Sequence, residues 1–261
     1  MNQKKSERLA KTIARAGLCS RREAERWIKA SRIKVDGKLI ISPAITVNEQ
    51  SIIEVDGKPL PKIQQTRLWR YHKPAGLLTS HSDPEGRPTV FENLPLDLGH
   101  VISVGRLDLN SEGLLLLTND GELARRLELP SLNWKRKYRV RVRGKVNEVK
   151  LKSLKNGVTI SGIKYRSIEA KLDSETRTNA WLTLTLTEGK NREIRKVMEH
   201  LNLNVNRLIR ISFGPFRLAQ LGRNQINEIP AKILRNKISG EDSRSCGEIS
   251  KIGWAKSKKH I

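Results

Sequence analysis

Residues 104–127, VGRLDLNSEGLLLLTNDGELARRL, join a polar loop to an unbroken aliphatic run and decide how the centre of the chain folds. Residues 101–104 predict a short strand before the loop, and residues 114–118 predict a second strand that is buried on both faces. Asp108 therefore lies in the polar connection between two strands. A carboxylate on a loop that a rigid sheet holds is well placed for chemistry, although loop aspartates more often close a turn or cap a helix. The pattern alone leaves both roles open.

The segments that follow alternate between strand and helix periods. In residues 134–145, WKRKYRVRVRGK, a tyrosine and two valines alternate with arginines, which predicts a strand with one buried face and one cationic face. Residues 181–189, WLTLTLTEG, repeat the alternation with leucines and threonines. Residues 190–201, KNREIRKVMEHL, change to a helical spacing of their apolar residues. Because strands and helices are mixed without a regular βαβ order, we predict an α+β fold.

The N-terminal residues predict a small unit of two helices and a hairpin. Apolar residues at helical spacing end at Gly17, a residue type that commonly terminates helices. Ser20 precedes Glu23 by three positions, which is the capping-box spacing at the start of a second helix. The pair Asp36-Gly37 separates two β-rich runs and predicts a tight hairpin turn.

The composition is typical of a protein that binds a polyanion. The 261 residues include 51 Lys and Arg against 27 Asp and Glu, a formal net charge of +24. The excess is spread along the chain, which suits a surface that lies along a phosphate backbone and releases counterions. Charge alone does not separate DNA from RNA, and basic surfaces also bind anionic membranes or only maintain solubility.

Several classes of protein are disfavoured. The longest aliphatic run, residues 114–117, is far shorter than the ~18 residues of a membrane span, and the N-terminus lacks an apolar signal segment. Cys19 and Cys246 form neither a metal-ligand spacing nor a disulfide framework, and no glycine-rich nucleotide loop is present. We therefore expect a cytoplasmic protein with no metal, no other cofactor and no membrane partner.

Residues 8–40, RLAKTIARAGLCSRREAERWIKASRIKVDGKLI, resemble the small RNA-binding domain first described in ribosomal small-subunit protein four. In that family a basic helix face docks on structured RNA. The resemblance implies RNA-binding roles for Arg8, Arg21, Arg22 and Arg32. A solvated helix face is the alternative for each of these arginines.

Residues 105–123, GRLDLNSEGLLLLTNDGEL, resemble the signature motif of bacterial rRNA pseudouridine synthases of the RsuA type. KPAGLLTS (73–80), DPEGRPTVFENLP (83–95) and residues 188–215 resemble the family's other motifs in the same order. The resemblance extends from residue 6 to about residue 235. It implies a catalytic domain built on a mixed, mainly antiparallel sheet, placed after the RNA-binding module.

Composition and resemblance together predict three regions. Residues 1–62 form the RNA-binding module and residues 66–235 form the catalytic domain. A second Asp-Gly turn and two prolines mark the end of the module, so we place the linker near residues 61–67. Residues 236–261 are rich in serine, glycine and basic residues without periodicity, and they predict a flexible basic tail.

The resemblance also implies the site residues. The aspartate of the family's GRLD motif is the catalytic nucleophile and corresponds to Asp108. The active-site tyrosine corresponds to Tyr138, for which a plain core aromatic is the alternative. The arginine that pairs with the catalytic carboxylate corresponds to Arg195, for which a surface ion pair is the alternative. Arg106 either contacts the phosphate of the flipped nucleotide or braces the loop.

The implied reaction is the isomerisation of uridine to pseudouridine in ribosomal RNA, which needs base flipping and no cofactor. Asp108 acts either as a nucleophile or as the base that opens the sugar. The motifs look closest to the large-subunit branch of the family, and a small-subunit enzyme is an alternative. A catalytically silent RNA-binding or ribosome-assembly factor is another. The expected partner is ribosomal RNA or a ribosomal assembly intermediate, bound by a monomer.

Overall fold

The structure is a computed structural model that describes residues 6–239, with side chains described as far as residue 236. The chain divides into two compact units between Glu228 and Ile229. The first unit contains an N-terminal part and a larger part built on one sheet. The second unit contains a single described helix.

The N-terminal part has the predicted two helices and small strands. Its elements are β1 (Glu7–Arg8), α1 (Leu9–Arg15), α2 (Arg21–Lys29), β2 (Ile33–Val35), β3 (Lys38–Ile40), β4 (Thr46–Val47), β5 (Ile53–Val55) and β6 (Lys58–Pro59). The Ser20 hydroxyl accepts a hydrogen bond from the Glu23 N–H at 3.2 Å, whereas the Glu23 carboxylate accepts one from the Trp27 indole at 2.9 Å. The predicted hairpin joins β2 to β3 through Asp36 and Gly37, whose φ angles are +49° and +78°.

The larger part is built on a mixed sheet. The remaining strands are β7 (Leu68–Lys73), β8 (Ile102–Val104), β9 (Glu112–Thr118), β10 (Arg136–Arg143), β11 (Val158–Ile160), β12 (Ile163–Tyr165), β13 (Ile168–Glu175), β14 (Asn179–Leu186), β15 (Asn204–Phe213), β16 (Phe216–Arg217) and β17 (Ile226–Ile229). The order within the first unit is β13-β14-β10-β15-β9-β7, with β8 beside β9 and β16 beside β15. β9 and β15 run parallel, whereas β10 is antiparallel to both of its neighbours. The predicted α+β fold is confirmed.

Burial along the strands follows the predicted periods. Every residue of β9 is buried, and along β10 the inward-facing Tyr138, Val140 and Val142 alternate with exposed cations. Three helices accompany the sheet: α3 (Gly121–Glu128), α4 (Glu148–Ser153) and α5 (Glu193–His200). The apolar residues of β10, β14 and α5 share one core, and the N-terminal part has a separate core of its own.

Residues 61–67, between β6 and β7, form neither helix nor strand. Polar contacts join this region and the N-terminal part to the residues at the start of α3, including two with Asn119. Lys11 forms an ion pair with Glu122, and the Thr66 hydroxyl donates to the Asp120 carboxylate at 2.6 Å. The two cores are therefore linked through surface contacts, and the division at residues 62 and 66 stays a prediction.

The second unit contains helix α6 (Ala231–Ser239). The helix continues past residue 235, so the predicted tail begins inside a helix, and residues 240–261 of that tail lie outside the described residues. No helix among residues 6–239 is long and apolar enough to cross a membrane.

Candidate active site

The loop between β8 and β9, residues 105–111, carries Asp108 with its side chain exposed. The Asp108 carbonyl accepts a hydrogen bond from the Ser111 N–H at 3.0 Å, which closes a turn. At the start of the loop, the Gly105 N–H donates to the Glu128 carboxylate at 2.6 Å. The predicted position of Asp108 in a polar connection between strands is confirmed, and its chemical role stays a prediction.

A buried lysine donates hydrogen bonds to the backbone of this loop. Lys73, the last residue of β7, is completely buried. Its Nζ donates to the carbonyls of Asp108, Leu109 and Ser111 at 3.2, 3.3 and 2.9 Å. Burial lowers the pKa of Lys73 to about 8, and the negative charge of Asp108 opposes that shift. The loop is thus fixed by a cation whose donors the loop carbonyls satisfy.

Close backbone packing brings this loop next to β15. Gly113, in β9, has a φ of +102°, and a Cβ at this position would lie 2.3 Å from the Arg210 carbonyl oxygen. Only glycine allows the two parallel strands to approach this closely just after the loop.

Tyr138 and Arg210 are direct neighbours across β10 and β15. The side chain of Tyr138 is only 8% exposed. Burial lowers the pKa of Arg210, and the neighbouring Tyr138 opposes that shift. Arg210 Nε donates to the Leu114 carbonyl at 2.8 Å, while its Nη2 is buried without a partner in the described part of the chain. A buried cation therefore supports the tyrosine hydroxyl.

Arg195 contacts the backbone of the loop instead of the carboxylate of Asp108. Its Nη2 donates to the Asn110 carbonyl at 2.8 Å, and its Nη1 donates to the Val205 carbonyl at 3.3 Å. Burial lowers the pKa of Arg195, and the charge of Asp108 opposes the shift, so the two charged groups interact without an ion-pair contact. Arg195 does not form the expected ion pair with the Asp108 carboxylate, because its guanidinium donors are directed to backbone carbonyls. These carbonyls belong to the loop and to β15, so Arg195 links α5 to both.

Glu193, the first residue of α5, is a second acid at this site. Its side chain is buried, and one carboxylate oxygen accepts a hydrogen bond from the Lys190 N–H at 3.0 Å. The other oxygen has no partner among the described residues. Burial raises the pKa of Glu193 to about 7, and the nearby charge of Glu188 acts in the same direction.

A cavity of about 780 Å³ is lined by residues of the Asp108 loop, of β10 and β15, and of α5. The predicted residues that line it are Asp108, Tyr138, Arg195 and Arg106, with Arg106 exposed at the surface. Arg210 and Glu193 also line it. Its volume suits a ligand of nucleotide size. Residues 6–239 contain no group of three His, Cys, Asp or Glu side chains that could hold a metal ion.

Sequence reasoning missed the roles of three of these residues. Lys73 was visible only as part of a motif, because its burial depends on the convergence of β7 with a distant loop. Arg210 shares a strand face with the buried Leu208, so an arginine at an inward-facing position was the available signal. Glu193 falls on the apolar side of its helix beside Ile194, which was a comparable signal.

Four of the five arginines predicted to contact RNA lie in the N-terminal part, outside the cavity, whereas Arg106 lines the cavity. Arg8, Arg21 and Arg22 are exposed. Arg32 is already engaged: its Nε donates to the Asp56 carboxylate at 2.8 Å, and its guanidinium lies 4.6 Å from the centre of the Trp27 ring. Arg21 lies 3.8 Å from the Glu25 carboxylate, whereas no ion pair is recorded for Arg8 or Arg22 within the described part of the chain.

Comparison with family models assigns both parts of the chain. Residues 67–200 match the RNA pseudouridylate synthase model, and residues 7–53 match the S4 domain model. The chain belongs to the RNA pseudouridine synthase family. The matched region of this pseudouridine synthase contains Lys73, Asp108, Tyr138 and Arg195.

Similar proteins agree with this assignment. The pseudouridine synthase is 52% identical over 229 residues to an uncharacterized RNA pseudouridine synthase of Rickettsia conorii, covering 88% of this chain and 99% of the relative. It is 44% identical over 219 residues to the ribosomal large subunit pseudouridine synthase B of Salmonella typhi, covering 82% and 75% of the two chains. A crystal structure of a pseudouridylate synthase shares the fold, with a TM-score of 0.63 at 24% identity over 88% of this chain and 99% of that one.

Proposed function

We propose that this enzyme converts a specific uridine of large-subunit ribosomal RNA to pseudouridine, with Asp108 as the reacting carboxylate. One observation carries the proposal: side chains from a loop, a strand and a helix meet in one cavity around Asp108. The cavity is of nucleotide size, and a uridine within a stack would have to flip out to enter it.

The reaction breaks the C1′–N1 bond of uridine and forms a C1′–C5 bond. Asp108 supplies the carboxylate that attacks C1′ or removes a sugar proton. In either route the uracil leaves with the electron pair of the C1′–N1 bond and is anionic. After the ring turns, C5 bonds to C1′ while the Asp108–C1′ ester bond breaks or, in the other route, while Asp108 returns the sugar proton. The proton on C5 then leaves and N1 takes up a proton. No atom is gained or lost.

The neighbouring side chains have complementary roles in this proposal. Arg195 holds the loop backbone and keeps a positive charge near Asp108. Tyr138 offers a ring that packs on the base and a hydroxyl that Arg210 orients. The positive charge of Arg210 stabilises the departing uracil anion, because a fixed cation acts strongly in a site that excludes water. Arg106, exposed at the cavity, contacts a phosphate of the flipped nucleotide.

Support for large-subunit RNA as substrate comes from the relative named ribosomal large subunit pseudouridine synthase B. The S4 domain supports recognition of structured RNA outside the cavity. We further propose that the enzyme acts as a monomer on ribosomal RNA or an assembly intermediate.

Mapping of pseudouridines in ribosomal RNA from cells with and without the enzyme tests this proposal. We expect one or a few sites to disappear from large-subunit RNA and to return with the wild-type gene. Loss of sites from small-subunit RNA would indicate a small-subunit enzyme. Unchanged maps, together with inactivity on transcripts and on assembly intermediates, would indicate a silent RNA-binding factor.

A further inference from the structure

We propose that the face of the sheet opposite the cavity is a second RNA-binding surface. We call it the cationic face and define it by the exposed residues Lys137, Arg139, Arg141 and Arg143 of β10 and Lys171 of β13. Its ligand is the phosphate backbone of ribosomal RNA outside the target nucleotide. The inference rests on the proposed function only in taking ribosomal RNA as the ligand.

The position of the cationic face follows from the pleat of β10. Tyr138 lines the cavity and Val140 lies in the core, so the residues between them point to the other side of the sheet. Alternate residues of a strand are about 6.6 Å apart, so the four cations of β10 form a row about 20 Å long. That row is long enough to follow several phosphates of one RNA strand.

Most of these cations lack a carboxylate partner. Arg139 lies 3.9 Å from the Asp173 carboxylate. Lys137, Arg141, Arg143 and Lys171 form no ion pair with any residue that the structure describes. Protein surfaces usually intersperse charges of both signs. Glu169 and Asp173 of β13 lie on the same face, paired with Lys135 and Arg139. The three unpaired cations of β10 therefore attract a polyanion, which releases its counterions on binding.

An aromatic ring lies among the cations. Trp181 of β14 is the direct neighbour of Arg141 across the strands, and its side chain is half-buried. The Arg139 guanidinium lies 4.8 Å from the centre of its ring. RNA-binding sheets combine cations for phosphates with rings on which unpaired bases stack. A fixed ring on a rigid sheet fits RNA better than a lipid surface, which amphipathic helices usually bind.

The test compares two sets of substitutions that remove the same charge. The first variant is Lys137→Gln/Arg141→Gln/Arg143→Gln. The control, Lys150→Gln/Lys152→Gln/Lys155→Gln, changes exposed lysines of α4 and of the turn after it. The dissociation constant of each protein for a full-length large-subunit rRNA transcript is measured between 50 and 200 mM salt. Thermal melting checks folding, and Arg143→Gln alone serves as a milder variant.

The first variant is expected to bind on the order of tenfold more weakly, and its slope of log affinity against log salt should fall by about 2–3. Arg143→Gln alone should lower the slope by about 1. The control should match the wild type. Wild-type affinity and slope in the first variant would overturn the inference, as would loss of binding to phosphatidylglycerol vesicles with RNA binding intact. A wild-type enzyme that forms no pseudouridine, yet loses RNA affinity on these substitutions, would contradict the proposed function alone.

Discussion

The basic residues that support the Asp108 loop and Tyr138 and the arginines predicted to bind RNA in the N-terminal part are chemically alike but lie in opposite environments. The supporting set is buried or half-buried and donates to backbone carbonyls; it consists of Lys73, Arg195 and Arg210. The N-terminal set is exposed; it consists of Arg8, Arg21 and Arg22. On the proposed function, the net charge of +24 combines two uses, one that supports the catalytic cavity and one that collects RNA.

The two environments have different physical consequences. Burial lowers the pKa of Lys73, Arg195 and Arg210, and each buried donor must find an acceptor inside the protein. Solvent and salt screen the exposed cations, which gain affinity only by displacing counterions from RNA. Changes to the first set should therefore alter folding and turnover, and changes to the second set should alter affinity and its salt dependence.

Among the changes to basic residues, the largest effect is expected from Lys73→Met. The substitution leaves loop carbonyls without a donor, which should lower the free energy of unfolding by about 3 kcal/mol. A displaced Asp108 should also reduce turnover by about 100-fold. Urea unfolding and single-turnover pseudouridine formation measure both quantities, with the exposed Lys62→Met as control. Equal stability and turnover in the two variants would remove the distinction between buried and exposed cations.

Deletion of residues 1–62 should give the next largest effect. The remaining chain should fold, because the N-terminal part has its own core and its ion pair with α3 is a surface contact. Affinity for long rRNA should fall by on the order of tenfold or more as phosphate contacts are lost. Circular dichroism and binding titrations check both statements. A truncated protein that does not fold would contradict the predicted domain boundary.

Arginines of the N-terminal part that differ in their ion pairs can be compared through the variants Arg21→Gln/Arg22→Gln and Arg32→Gln. The double substitution should lower the salt slope of RNA binding by about 2, because both guanidinium groups are exposed and the one ion pair recorded for them, Arg21 with Glu25, is long at 3.8 Å. Arg32→Gln should change the slope less, because Asp56 already neutralises that charge. Titrations at several salt concentrations decide the point. An equal change for Arg32 would show that RNA displaces Asp56.

The smallest effect concerns stability and pH at Glu193. Its pKa is raised to about 7 in the folded state, so the folded state binds the extra proton between about pH 4.5 and 7. That contribution to stability is lost as the pH rises through 7. Glu193→Gln should therefore have a free energy of unfolding about 1–2 kcal/mol higher than the wild type at pH 8, and the difference should shrink towards pH 5. The exposed Glu199→Gln is the control and should show no such pH dependence.

Local patterns predicted the parts of the fold in which one face is buried. The alternation in β10 and β14 and the helical spacing in α5 follow directly from contact with one core. The turn at Asp36-Gly37 follows from backbone conformations that these two residue types tolerate. The assignment of the chemistry depended on the family resemblance, because an exposed loop aspartate has no distinctive period.

Contacts between distant segments could not be predicted in this way. The burial of Lys73 depends on how β7 meets the loop after β8, and no local period reports it. The partner of Arg195 also differed from the expectation, because the distance to Asp108 is set jointly by α5, β15 and the loop. The pairing of β10 with β15 also has two register shifts, one just before Tyr138 and one just after Arg141. The sequence pattern does not reveal them.

The most direct test of the account is single-turnover pseudouridine formation by Asp108→Ala, with RNA affinity and melting measured on the same protein. Asp108 is exposed on a polar loop, so its removal should change stability by less than about 0.5 kcal/mol and leave RNA affinity intact. The account predicts a fall in rate of ~10⁴-fold or more, as for the loss of other reacting groups, while the exposed Asp97→Ala retains the wild-type rate. A wild-type rate in Asp108→Ala would contradict the catalytic assignment.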